Sequence, residues 1–312
     1  MLDIFLNIST IFVMIFIGYI ASKAKLVPSE SQGYIVKLVL NVNIPCMLIC
    51  SITANEIAAD AVLLSIKMLC YSMIYYILAA LISVLLTKLF LVKDPNDKGV
   101  YQIVFTGINT GFIGFPVTQT LFGSTALYYM ALHNIITNIS LYSICMFQLN
   151  GGERQKGMLL KTLKGMVNPC IISAIIGVIL LFAGISIPEY INGIIDPIGD
   201  ATIPLAMIIV GLQLAEGKIS DCFKNKKLIL FCAVVMIVRP VAVLGIMTLL
   251  PIEEALKIVL VLGSAFPPVT TTSALAADAG RNYKLAADAT IITTLMAVIT
   301  LPIITMLINI YI

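Results

Sequence analysis

The sequence predicts an all-α membrane protein, with ten transmembrane helices in two inverted five-helix repeats and helices 4 and 9 broken. Three observations lead there: composition, the alternation of charge between loops, and motifs that recur at near-constant spacing. Of 312 residues, 60% are hydrophobic and 11% charged, against roughly 25% charged in soluble domains. Mean hydropathy is +1.06. The net charge of +3 carries no implication of nucleic-acid binding, because the basic residues sit in short loops between apolar runs.

A bilayer core takes about 20 apolar residues per helix. That ruler places spans at 4–21, 34–52, 61–90, 100–122, 125–149, 166–187, 191–215, 228–250, 255–277 and 285–311. The first run follows Asp3 rather than a basic segment, and no A-x-A site follows it, so it reads as a span and not a cleaved leader. The loops after spans one, three, five, seven and nine hold Lys23, Lys25, Lys88, Lys93, Lys98, Arg154, Lys156, Lys161, Lys164, Lys218, Lys224, Lys226, Lys227, Arg281 and Lys284. The alternate loops hold Asn55, Glu56, Asp60, Glu189, Asp196, Glu253 and Glu254. Short Lys/Arg-rich loops stay in the cytoplasm, so the expectation is a multi-pass protein of the cell (plasma) membrane with both termini outside. Tryptophan is absent, which leaves Tyr75, Tyr76, Tyr128, Tyr129 and Tyr311 as candidates for the interfacial aromatic belt.

The repeat is read from spacing. Gly18 and Gly177 lie 159 positions apart (177 − 18), as do Pro45 and Pro204 (204 − 45), each proline following an isoleucine. FPVT at 115–118 and PPVT at 267–270 differ by 152 (267 − 115). The expected repeats are residues 1–155 (spans one to five) and 156–312 (spans six to ten). An odd number of spans per unit inverts the second unit, an arrangement of secondary transporters.

Two stretches carry the candidate site. TGINTGFIGFPVTQTLF (106–122) holds Gly107, Asn109, Gly111, Gly114 and Pro116; GSAFPPVTTTS (263–273) holds Pro267 and Pro268. Proline lacks an N–H and its ring clashes with the carbonyl four residues back, so Pro116 is expected to break its helix. A broken helix exposes N–H groups at one end and carbonyls at the other, and the N–H ends attract anions. Thr118, Thr270 and Thr271 can cap the second halves or bind a carboxylate. Against this stands the simpler role of kinks made for packing.

Asn109 is a carboxylate ligand or an organiser of freed backbone, since a buried amide needs partners. Asn43 and Thr202 sit two residues before matched prolines, where a helix distortion can be fixed. Arg239, in mid-span before Pro240, either neutralises an anion or caps a broken helix. His133, the single histidine, titrates near neutral pH and is either a coupling group or a packed one. Asp278 and Asp288 are expected to pair with Arg281 and Lys284. Seven scattered cysteines show no metal-ligand spacing, and neither H-E-x-x-H nor a Ser–His couple points to an enzyme.

NTGFIGFP at 109–116, IPLAM at 203–207, VGLQLA at 210–215 and the PPVT break resemble the auxin efflux carrier family over essentially the whole chain. The resemblance implies a fold shared with sodium/bile-acid symporters and sodium/proton antiporters. In that fold spans 1, 2, 6 and 7 form a scaffold and spans 3–5 and 8–10 a moving transport domain. It places an organic anion at the crossover and carries over onto Asn109, Pro116 and Pro268. The loop between repeats is short here, unlike that of the plant exporters. The reading is therefore a secondary transporter of a small organic anion by elevator-type alternating access; a cation/proton antiporter on the same fold is the alternative. Substrate contacts are expected from Asn43, Asn109, Gly111, Pro116, Thr118, Arg239, Pro267, Pro268, Thr270 and Thr271. The expected partners are the organic anion, the bilayer and a second copy in a homodimer, with no nucleic acid, cofactor or metal.

Overall fold

In the computed structural model of the chain, the described residues are 2–55, 60–153, 160, 167–216, 222 and 224–312. They are helical, with no strand among them. Glu56, Arg154, Lys156, Lys161, Lys164 and Lys218, which enter the loop-charge argument, and the expected repeat boundary at 155/156 lie outside the described residues.

The helices are α1 (Leu2–Lys23), α2 (Ser29–Leu38), α3 (Ile44–Thr53), α4 (Ala61–Leu89), α5 (Pro95–Thr106), α6 (Phe115–Ser140) and α7 (Met146–Leu149). They continue with α8 (Pro169–Phe182), α9 (Glu189–Asp200), α10 (Thr202–Glu216), α11 (Lys226–Ala233), α12 (Arg239–Leu249), α13 (Glu254–Ala265), α14 (Thr272–Asp278) and α15 (Tyr283–Tyr311). Joined across their kinks, six helical runs among the described residues are long and apolar enough to cross a membrane: Glu30–Thr53, Ala61–Leu89, Pro95–Leu149, Glu189–Ala215, Lys226–Leu249 and Tyr283–Tyr311. Ser9–Lys23 and Pro169–Phe182 are shorter apolar helices. Helix starts are set locally: Asn168, Asn225 and Asn282 each accept the N–H three residues on, at 3.0, 3.1 and 3.0 Å, as N-caps do.

Three of the four π turns among the described residues are explained by proline. Val39–Asn43, Thr110–Gly114 and Val234–Val238 are each followed two residues later by Pro45, Pro116 and Pro240. The proline ring excludes the carbonyl four residues back, and a widened turn accommodates it without ending the helix. Pro116 therefore does not break its helix, contrary to the expectation from sequence. Its missing N–H falls where the π turn passes into α6, and the widened turn absorbs the lost bond. Gly123 (φ 74°, ψ −167°) turns the chain within Phe115–Ser140.

The chain divides into two compact units. Unit 1 comprises Met1–Met68, Gly111–Ile135 and Val167–Glu216. Within it α1 packs along α10 and α3 along α8 and α9. Gly18 and Gly177 permit close approaches: a Cβ on Gly18 would overlap the Ile208 backbone, and one on Gly177 would press on Ile52 at 3.1 Å. Tyr128 is buried here with its hydroxyl 2.6 Å from Ser65 Oγ, and Tyr129 is buried beside it.

Unit 2 comprises Leu69–Thr110, Ile136–Met166 and Gly217–Ile312. Its central element is α15, which contacts α5, α11, α13 and α14. Tyr76 is buried and donates to Thr137 Oγ1 at 2.7 Å, with Tyr75 edge-on to it. Of the five tyrosines expected in an aromatic belt, Tyr76, Tyr128 and Tyr129 are instead core residues, and Tyr311 is exposed. The ion pairs expected of Arg281 and Asp288 are also absent among the described residues. Arg281 Nε donates to the Leu149 carbonyl at 2.7 Å, and Asp288 accepts from the Cys222 thiol at 3.3 Å.

Candidate functional site

Unit 2 contains two helices that stop short. Asp94 caps α5, accepting the Asn96 N–H at 2.9 Å, and the helix runs 12 residues to Thr106. Twelve residues rise about 18 Å, well under the ~30 Å of a bilayer core. The chain leaves the helix at Gly107, extended at φ −73° and ψ 142°. A Cβ there would lie 3.0 Å from the Ile103 carbonyl and 3.8 Å from Val269 Cγ2, so the small residue admits the second strand of chain. Residues 107–109 are non-helical and buried.

The other short helix, α13, is also 12 residues and ends at Ala265. Phe266 is extended (φ −75°, ψ 146°) because Pro267 follows it, and Pro267 is restricted in the same way by Pro268. Chain resumes as a turn at Val269–Thr271, where Thr272 donates through N–H (3.0 Å) and Oγ1 (2.5 Å) to the Val269 carbonyl. The two breaks touch: the Asn109 N–H donates to the Pro267 carbonyl at 2.9 Å. Proline thus supplies an acceptor that no helical N–H competes for.

Arg239 joins both ends. Buried at the start of α12, it donates Nη1 to the Phe105 carbonyl (2.5 Å), Nε to the Ser264 carbonyl (2.8 Å) and Nη2 to the Phe266 carbonyl (2.7 Å). These are the C-terminal carbonyls that a broken helix leaves open. Each helix end carries roughly half a negative charge, so two of them balance one guanidinium. The planar fork reaches three acceptors at fixed angles, which a lysine could not. Its charge also lies 5.7 Å from the Phe105 ring centroid. Of the two roles the sequence leaves open for Arg239, its hydrogen bonds are those of a cap.

Asn109, Arg239, Pro267, Pro268 and Val269–Thr271 therefore gather at one crossing in unit 2. Asn109, Pro267 and Pro268 are buried, Thr270 is half-buried and Thr271 exposed. In unit 1, Gly111 is half-buried and Pro116 and Thr118 are buried on a single segment. Thr118 Oγ1 has no hydrogen-bond partner among the described residues, and Gln119 Oε1 accepts from Ser51 at 3.5 Å. Asn43 is placed differently. Its Nδ2 donates to the Ile198 carbonyl at 2.9 Å, near the interruption between α9 and α10. His133 is buried in α6.

The sequence reading passes over Thr106. Its hydroxyl is buried where α5 ends and has no partner among the described residues. The only sequence signal is a hydroxyl residue directly before the glycine that ends the helix. The carbonyls of Phe105, Ser264 and Phe266 were likewise invisible, because a backbone acceptor leaves no mark on residue identity.

With this geometry established, comparison with known proteins is informative. A profile of a family described as "Membrane transport protein" matches residues 3–305. The chain is 24% identical over 304 residues to an uncharacterized transporter of Methanocaldococcus jannaschii, covering 93% of this chain and 94% of that one. It is 23% identical over 299 residues to an uncharacterized transporter of Methanothermobacter thermautotrophicus, covering 95% of each.

Proposed function

This chain belongs to the membrane transport protein family, that of the auxin efflux carriers its motifs resemble, and on that premise we propose that it is a secondary transporter of a small organic carboxylate. The observation that carries the proposal is the crossing of two interrupted helices, tied by the Asn109 N–H···O=C Pro267 bond and braced by Arg239. Non-helical backbone at membrane depth is tolerated where it is buried in protein or lines a cavity. In transporters, such interruptions hold the substrate. The segment that resumes after the first break, at Thr110, starts with N–H groups suited to a carboxylate. Asn109 and the Thr106 hydroxyl add polar atoms to otherwise apolar surroundings. In this reading Arg239 holds the geometry and the carboxylate is bound by backbone N–H groups and Asn109. Neither break contains Asp or Glu, which favours an anion over a metal cation or proton as cargo.

The architecture proposed is ten spans in two inverted repeats. It is supported by reciprocal packing in unit 1, where Gly18 meets Ile208 and its repeat-mate Gly177 meets Ile52, the two isoleucines being 156 apart (208 − 52). We assign spans 1, 2, 6 and 7 to a scaffold and spans 3–5 and 8–10 to a transport domain that moves as an elevator. The loop charges orient both termini outside the cytoplasmic membrane.

The test is flux into proteoliposomes. Across a panel of labelled mono- and dicarboxylates, wild type shows saturable uptake of at least one, and Asn109→Ala abolishes it while retaining the wild-type elution profile and helicity. Unchanged kinetics in Asn109→Ala overturn the site; absence of carboxylate flux, with flux of another solute class, overturns the substrate class.

A further inference from the structure

A second pocket in unit 2, of 440 Å³, opens where α5 begins, a volume within the range of small-ligand sites. Its lining includes Lys93, Lys98, Gln102, Gln148, Gly151 and Arg281, and no carboxylate among the described residues. The acidic groups of that turn are engaged elsewhere: Asp94 accepts from the Asn96 N–H, and Asp97 from Asn282 Nδ2 at 2.8 Å. Among the described residues the pocket is positively charged and no carboxylate lines it.

Two local features shape it. The end of α7 closes in a Schellman turn, with the Gly152 N–H on the Phe147 carbonyl (2.9 Å) and the Gly151 N–H on the Gln148 carbonyl (3.1 Å). Gly151 has the left-handed φ, 73°, that this motif requires, and Gly152 is left-handed too, at 89°. Arg281 Nε takes the neighbouring Leu149 carbonyl, which leaves its Nη groups beside the bare Gly151 backbone, 3.6 Å from where a Cβ would stand. Behind them Gln148 is 6% exposed. Its Nε2 donates to Ser83 Oγ (2.9 Å) and the Ala80 carbonyl (3.3 Å), which fixes the amide's orientation. Gln148 Oε1 has no partner among the described residues. A buried acceptor in that position is destabilising until a donor reaches it.

We infer that this pocket binds a phosphate group with an adjacent hydroxyl. The three cations take the phosphate oxygens, Arg281 by its planar fork, and Gln148 Oε1 accepts from the hydroxyl. A glycerophosphate presents both, either as the headgroup of phosphatidylglycerol or as a free solute. Basic pockets between transmembrane helices on the cytoplasmic side bind anionic headgroups. The lipid source rests on the loop-charge orientation proposed above; the phosphate chemistry does not.

Thermal unfolding in phosphatidylcholine nanodiscs separates the cases, using added phosphatidylglycerol, free glycerol 3-phosphate and, as uncharged control, glycerol. A ligand bound by the folded state raises the melting temperature. Phosphatidylglycerol is expected to stabilise wild type, and Lys93→Gln/Lys98→Gln to weaken the effect by about fivefold per lysine. Both lysines are exposed and cap no helix, so the variant folds; Lys98→Glu abolishes the effect. Stabilisation by glycerol 3-phosphate alone identifies a soluble phosphate as the ligand. Equal shifts in wild type and the double variant, or a shift with neither phosphate, overturn the inference. The readout is independent of carboxylate flux, so its failure leaves the Asn109 site standing.

Discussion

The two helix breaks reach the same backbone outcome by different chemistry. After Ala265 the chain turns extended because Phe266 and Pro267 each precede a proline; the instruction is covalent and local. After Thr106 no proline is at hand. Gly107 merely permits the extended backbone, and what holds it there is tertiary: the Pro267 carbonyl takes the Asn109 N–H, and Arg239 takes the Phe105 carbonyl. One break is rigid by construction and the other is held by its neighbour. The pair teaches that one backbone geometry can be reached from different residues.

The largest effect expected is from Arg239→Ala. It removes three charge-assisted hydrogen bonds and leaves three buried carbonyls open, a loss on the order of 4 kcal/mol, read as a fall in melting temperature together with loss of flux. Arg239→Lys recovers part of the stability, since one ammonium can serve fewer of the three acceptors. Because the first break depends on the brace and the second does not, hydrogen exchange in Arg239→Lys rises at the amides of 107–109 more than at the Phe266 amide, the one exchangeable N–H of Phe266–Pro268. Equal rises remove the distinction drawn here.

Next come substitutions in the breaks themselves. Pro267→Ala/Pro268→Ala lets α13 continue as helix and abolishes flux while leaving the fold stable. Gly107→Ala keeps an ordinary φ and meets only the Ile103 carbonyl at 3.0 Å, a cost of about 1 kcal/mol with flux reduced rather than lost. The smallest effect is that of Pro116→Ala. This proline lies where a π turn passes into α6 and interrupts nothing, so the melting temperature changes by little more than the error of the scan and flux persists. A collapse of flux in Pro116→Ala would return the break to where the sequence alone places it.

That contrast marks what was legible. Pro267 and Pro268 announce their break because an X-Pro step constrains the preceding residue whatever surrounds it. Pro116 misleads because a helix can widen into a π turn and pass through, while the true break at Gly107–Asn109 depends on a contact across more than 150 positions. The family was readable from NTGFIGFP and VGLQLA, and the profile match over residues 3–305 bears it out. Arg239 was identifiable as a buried charge in an apolar span, yet its role was open because its acceptors are all main-chain. Tyr76 and Tyr128 were misplaced for the related reason that a tyrosine looks the same in sequence at an interface and in a core. Only the serine and threonine hydroxyls that meet them in the folded chain decide between the two.

The brace at Arg239 has an evolutionary corollary. A clamp that grips peptide oxygens is indifferent to which side chains those peptides carry, so positions 264 and 266 can drift among descendants without loosening it, while position 239 cannot change alone. Divergent members can therefore retool the walls around the crossing for new cargo and inherit the same frame intact.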